Sequence, residues 1–370
     1  MVNVTELIAK TRTELSGDPQ RDLQYLMDLA KQYRREENAA EITAALAELG
    51  FSLMPKDAQE HMRKTTFVRG KRMDLAFHNA MELISEGKTQ EAEALLAEMA
   101  DVIHEHFEIG DKKWFCFRNP FEYHLYRMYY PTVTDFDRAP FDFAHYLTMY
   151  GFVLLENHKV RAAAQAVERG IRFNPVNADV RFELAEIYKF AGNPEKLLQI
   201  NRDTLRICTT PSRIARTLCN MGYYCVMKQE FYDAAVFYFK SLCFESNRAV
   251  ELELTDVTRR LHTMGRMFEK PTNGQILDTF EKYDLSVPPN NDLVNLAVTL
   301  GESARDHRQP QLVGLFYRVA YDLTNEPRFK KILEEVDKEL GFQTPENAPK
   351  DETVHPDITM TQYSEDASAD

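Results

Sequence analysis

Residues 145–175 read HYLTMYGFVLLENHKVRAAAQAVERGIRFNP. Gly151 lies inside a first apolar run, and twelve positions later Ala163 lies inside a second; Pro175 ends the stretch. Two antiparallel helices in a hairpin approach closely only where the facing side chains are small, so Gly151 and Ala163 predict the point of closest contact. The larger apolar residues Leu147, Tyr150, Leu154 and Val167 are then expected to fill the space toward a neighbouring hairpin.

The same plan recurs on both sides. Leu184-Ala185 precede Tyr188, the breaker Gly192-Asn193-Pro194 and Leu197, twelve positions after Ala185. Met221-Gly222 precede Cys225 and Ala234. Gly151 to Ala185 is 34 positions and Ala185 to Gly222 is 37. Weaker copies pair Ala30 with Ile42, Ala80 with Ala92, Gly265 with Leu277 and Gly301 with Val313. Seven such units predict an array, because one hairpin cannot bury its own apolar face and neighbours must stack.

From about Ala144 to Asn247 the chain resembles three consecutive tetratricopeptide repeats. Leu147, Tyr150, Gly151, Leu154, Ala163, Val167, Gly170 and Pro175 carry the first copy. Leu184, Ala185, Tyr188 and Leu197 carry the second, and Leu218, Met221, Gly222, Ala234 and Tyr238 the third. The resemblance implies an all-α fold, a right-handed superhelical solenoid of antiparallel hairpins, here interrupted by one aromatic-rich insert. The flanking units depart from the pattern, with Asn79 where a large apolar residue is usual and Ile42 where a small one is.

The expected organisation is an N-terminal helical hairpin at 1–60, a repeat-like hairpin at 61–104 and the insert at 105–143. Three repeats follow at 144–247, then two further hairpins and a capping helix at 248–342. An acidic segment at 343–370 lacks apolar periodicity and reads as disordered. The insert holds the only tryptophan, Trp114, and one short helix is expected in PFEYHLYRMYY. Its rings read either as a wedge of core or as a pocket formed by Trp114, Phe117, Tyr123 and Tyr126.

Composition narrows the function. The net charge of −13 is a poor match to nucleic-acid phosphates. No apolar run is long enough to cross a membrane, and the first residues do not read as a signal peptide. Five cysteines without a Cys-x-x-Cys pair read as reduced thiols of a cytoplasmic protein. His104 and His106 with His78, His124 or His145 do not share a helix face, so no metal or cofactor is expected. Asp135, Asp137 and Asp142 read as a polar loop, and no catalytic motif appears.

The resemblance implies a binding scaffold rather than an enzyme, with a concave groove lined by one face of each first helix. Carried over by position, that face holds His145, Thr148, Phe152 and Leu155, then Phe182, Glu186 and Lys189. The third repeat adds Arg216, Cys219, Tyr223 and Met227, and the next unit Arg259, His262 and Arg266. The Lys/Asn clamp used by some family members for a peptide carboxylate is not reproduced, since Phe152 and Tyr223 stand where asparagine is needed. A protein or peptide partner with apolar anchors and some negative charge is expected. The alternative is a ligand-responsive regulator with its pocket in the insert.

Overall fold

The structure, a computed structural model, describes residues 2–132 and 135–341. The acidic segment 343–370 lies outside the described residues. Contacts divide the chain into two compact units, Met1–Thr204 and Leu205–Asp370, each taken by itself below. The division falls after the second of the three clear repeats.

The first unit begins with α1 (Val4–Glu14), α2 (Pro19–Gln32), α3 (Ala39–Leu53) and α4 (Lys56–Thr66). Asp18 accepts from the amides of Gln20 and Arg21 ahead of Pro19, a strong start signal for α2. Leu26, Ile42, Leu46 and Leu49 form its core, with Ala30 packed against them. A tight hairpin, β1 (Phe67–Val68) and β2 (Lys71–Arg72), turns through Arg69 and Gly70, both at positive φ, and leads into α5 (Met73–Ser85) and α6 (Thr89–Ile103). A π-helical turn follows at His104–Glu108, then β3 (Trp114–Phe115), α7 (Pro120–Tyr129) and β4 (Asp137–Arg138). The unit closes with α8 (Phe143–Glu156), α9 (Val160–Phe173), α10 (Ala178–Phe190) and α11 (Pro194–Leu205).

The second unit holds α12 (Pro211–Met227), α13 (Phe231–Leu242), α14 (Arg248–Thr263), α15 (Asn273–Lys282), α16 (Asn291–Asp306), α17 (Pro310–Thr324) and α18 (Pro327–Glu339). Asn247 and Asn290 cap α14 and α16, and Thr272 with Gln275 forms a reciprocal capping box on α15. Helix α18, the last among the described residues, buries Phe329, Leu333 and Val336, packs on α17 and turns a charged face outward.

The close contact within a hairpin lies where small residues were expected, but its main partner is four positions further on. A Cβ on Gly151 would stand 2.4 Å from Val167 Cγ2 and 3.1 Å from the Ala163 carbonyl. On Gly222 it would meet Tyr238 ring atoms at 2.4 to 2.8 Å, and on Gly301 those of Tyr317 at 2.6 to 3.0 Å. Each pair is separated by sixteen positions, and Ala80 with Leu96 keeps the same separation with both residues buried. The glycine is therefore a notch that receives a whole side chain from the second helix, a ring in two of three cases.

The turns repeat as closely as the notches. Gly87, His158, Gly192, Gln229 and Arg308 each adopt positive φ just past a first helix. The following amide bonds back across six residues: Lys88 to Leu83, Lys159 to Leu154, Asn193 to Tyr188, Glu230 to Cys225 and Gln309 to Ala304, at 2.8 to 3.0 Å. This is a Schellman end, which satisfies the last carbonyls of the helix.

Gly265 belongs to this set, which corrects the pairing of Gly265 with Leu277. It has φ +72°, and Arg266 N–H bonds to the Leu261 carbonyl at 2.9 Å, so it ends α14 instead of notching it. Leu277 is exposed. Helix α15 packs instead on α13, through Phe280 to Phe237 (5.0 Å) and Tyr283 to Phe237 (5.6 Å). Asp233 accepts from both Tyr283 Oη and Lys282 Nζ at 2.7 Å.

Three of these six turns lack glycine, which gives a direct test. Changing His158, Gln229 and Arg308 to glycine should each stabilise the chain by about 0.5–1 kcal/mol, since glycine reaches positive φ without steric cost. Denaturant midpoints check this; a loss of stability at all three positions would contradict the shared turn.

Candidate binding surface

The insert is built as core and fastened at several points. Strands β3 and β4 pair in parallel, Trp114 opposite Asp137 and Phe115 opposite Arg138, closing its base. Cys116 N–H donates to the Phe173 carbonyl at 2.9 Å, while its thiol lies 3.6 Å from the same oxygen and receives Ala144 N–H at 3.4 Å. Burial pushes that thiol well above its ordinary range, so it stays neutral. Asn119 caps α7 ahead of Pro120.

At the centre lies the buried carboxylate of Glu122. It accepts from Arg118 N (2.8 Å), Arg118 Nε (2.7 Å) and Asn174 Nδ2 (2.8 Å). Arg118 reaches on to Asp179 at 2.7 Å, so one ion-pair chain joins the insert to the start of α10. On the other side Arg169 of α9 holds Glu108 at 2.9 Å and the Ala100 carbonyl at 2.8 Å.

The insert's rings fill each other's space. Phe115 stacks on Phe117 at 5.2 Å and meets Tyr126 at 4.6 Å and Phe136 at 5.0 Å. Trp114 meets Phe107 at 5.1 Å, and Phe107 continues to Phe143 at 4.7 Å. Tyr126 is only 3% exposed, so this pocket candidate is corrected to a core residue. Trp114 and Phe117 are half-buried, and Tyr123 remains exposed with its ring 6.2 Å from Phe117. The same burial lowers the affinity of His124 for a proton.

The first-helix faces differ between positions. On α8, His145 and Phe152 are half-buried, and His145 lies edge-on to Phe77 at 5.1 Å. Thr148 and Leu155 of the same helix are buried, Thr148 by bonding the Ala144 carbonyl at 2.7 Å. On α10 the candidate Phe182 is corrected: it is 2% exposed, and the less buried stripe runs through half-buried Glu183 and Glu186 to exposed Phe190. Lys189 pairs with Glu186 at 2.8 Å beside the exposed Phe190.

In the second unit, α12 is buried on every face except one. Arg216, Cys219, Tyr223 and Met227 recur at helical spacing along that face, with Tyr223 38% exposed. Arg259 and His262 are exposed on α14, and Arg259 pairs with Asp256 at 3.2 Å. Arg266 is not on a first helix; it lies in the loop after α14, 5.6 Å from the Tyr232 ring. Leu252, Met264 and Met267 are also exposed here and were not singled out in the sequence. Leu252 could have been, since it stands opposite Val250, Val257 and Leu261 on the helical wheel.

Among the described residues no group of three His, Cys, Asp or Glu is arranged to hold a metal. His104 pairs with Glu108 at 2.7 Å and His78 with Glu82 at 3.4 Å. Among the described residues no helix is long and apolar enough to cross a membrane.

Glycine notches, a partner sixteen positions on, Schellman turns and a 34- to 37-residue spacing define an all-α helical-repeat protein. Its hairpins resemble tetratricopeptide repeats. No protein-family model and no curated protein matches the chain. Similar solved structures include the pilF protein of Pseudomonas aeruginosa, at 13% identity and TM-score 0.37, covering 71% of this chain and 96% of that one. The C-terminal part of a tetratricopeptide repeat-containing protein from Cytophaga hutchinsonii has 12% identity and TM-score 0.37, covering 84% and 99%. A tetratricopeptide repeat protein from Parabacteroides merdae has 13% identity and TM-score 0.36, covering 85% and 98%. No partner or activity passes from them to this chain.

Proposed function

We propose that the chain is a non-catalytic, cytoplasmic scaffold that binds a protein or peptide segment on the least buried faces of its first helices. The observation that carries this is the least buried face of α12, where half-buried Arg216 and Met227 and exposed Tyr223 recur at helical spacing on an otherwise buried helix. A rigid ring flanked by a guanidinium and a flexible thioether suits an apolar anchor with nearby negative charge. Phe152 and Lys189 supply similar chemistry in the first unit, and Arg259 more charge in the second. The net charge of −13 argues against nucleic acid as the partner.

The test is affinity capture from the native lysate with the wild-type chain and an Arg216→Glu, Tyr223→Ala variant, followed by titration of the captured partner. Loss of about 30-fold in affinity, with unchanged circular dichroism, is expected for a hot-spot tyrosine. A partner that binds both chains equally well would show that this face is not the binding surface.

A further inference from the structure

Among the described residues of the second unit, the exposed large apolar side chains are Tyr223 and four between Leu252 and Leu277: Leu252 and Met264 at the two ends of α14, Met267 in the loop after it and Leu277 on α15, at 55%, 59%, 72% and 49% exposure. The same stretch concentrates positive charge. Between Val257 and Thr272, Arg259, Arg260, Arg266 and Lys270 stand against a single acid, Glu269, in a chain of net charge −13. Asp256 is shared by Arg259 at 3.2 Å and Arg260 at 2.7 Å, so one carboxylate serves two guanidiniums.

The sequence beyond Gly341 is complementary in both respects. Residues 342–370 hold seven carboxylates and one lysine, with Val354, Ile358, Met360 and Tyr363 spaced between them. Reach is ample, since these residues can extend to roughly 95 Å at about 3.3 Å each. Four helix diameters, roughly 10 Å each, would take the segment from α18 back to α14. A tether of this length supplies an effective concentration of order millimolar, enough to occupy even a weak site.

We propose that segment 343–370 docks in cis on the end of α14 and the loop that follows it, covering Met264 and Met267 and pairing its carboxylates with Arg259, Arg266 and Lys270. The segment would then compete with any acidic partner for Arg259 and Arg266. Docking does not depend on that partner and is measurable on the isolated chain, so its failure and the failure of the proposed function are separable.

Methionine oxidation by dilute peroxide, followed site by site with mass spectrometry, reads the cover directly. The full chain is compared with a full-length variant carrying Asp351→Asn, Glu352→Gln, Asp357→Asn, Glu365→Gln and Asp366→Asn, which leaves every described residue unchanged. Oxidation of Met264 and Met267 is expected to be about five-fold slower in the wild type, with Met27 oxidised equally in both; about 1 M salt should abolish the difference. Arg259→Glu with Arg266→Glu should raise the wild-type rate to that of the neutralised variant. Equal rates in all chains at low salt would overturn docking. Protection that grows with protein concentration would also overturn it, by placing the segment on a second copy.

Discussion

Replacing Gly222 with alanine should destabilise the protein by about 2–3 kcal/mol, although the same change in a helix interior ordinarily gains about 1 kcal/mol. The sign reverses because the new methyl would stand 2.4, 2.6 and 2.8 Å from Cε1, Cδ1 and Cζ of Tyr238. Tyr238 is 1% exposed and cannot swing into solvent. Thermal unfolding followed by circular dichroism measures the loss. Tyr238→Leu in the same chain should recover part of it by opening space. Gly301→Ala should repeat the effect through Tyr317, while Gly314→Ala, whose methyl would meet only Val336 Cγ1 at 3.3 Å, should be close to neutral. Equal outcomes at Gly222 and Gly314 would refute the notch.

Removing the Glu122 carboxylate is the second large effect expected. Glu122→Ala leaves Arg118 N–H, the Arg118 guanidinium and Asn174 Nδ2 without their buried acceptor, at a cost of about 3 kcal/mol. Asp179 still holds Arg118, so the guanidinium is not left wholly unpaired. The insert should loosen first. Trp114 is the only tryptophan and packs against Phe107, so its emission should shift to the red before helix content falls. Glu122→Gln keeps one acceptor oxygen and should lose markedly less. Unchanged emission in Glu122→Ala would show that this network does not hold the insert.

The helical character of the chain was legible because glycine, proline and capping residues punctuate an apolar period, whereas the short strands at 67–72, 114–115 and 137–138 left no such signal. The insert's helix was legible for the same reason, with Asn119 and Pro120 at its start. The notch was only half legible. Small residues on a first helix mark where something must fit, yet spacing alone favoured the small neighbours Ala163 and Ala234 over the larger Val167 and Tyr238. Gly265 misled because glycine answers two different physical demands, a missing side chain and a positive φ. Phe182 misled by one position. The residue next to it, Glu183, begins the less buried stripe, and a shift of one residue turns a helical side chain by about 100°. Tyr126 was ambiguous in principle, since rings that line a pocket and rings that fill a core share one composition.

The sixteen-position pairing also bears on how the chain folds. Notch and ring lie close in sequence, so each hairpin has low contact order and its contacts with a neighbour can form early in folding. The insert has the opposite character. Cys116 to Phe173, Arg118 to Asp179 and Glu108 to Arg169 close loops of 57, 61 and 61 residues. Those closures carry an entropic cost that is offset only once α8, α9 and α10 are in place. The repeats should therefore assemble first, and the aromatic segment should be the last part of the first unit to lock.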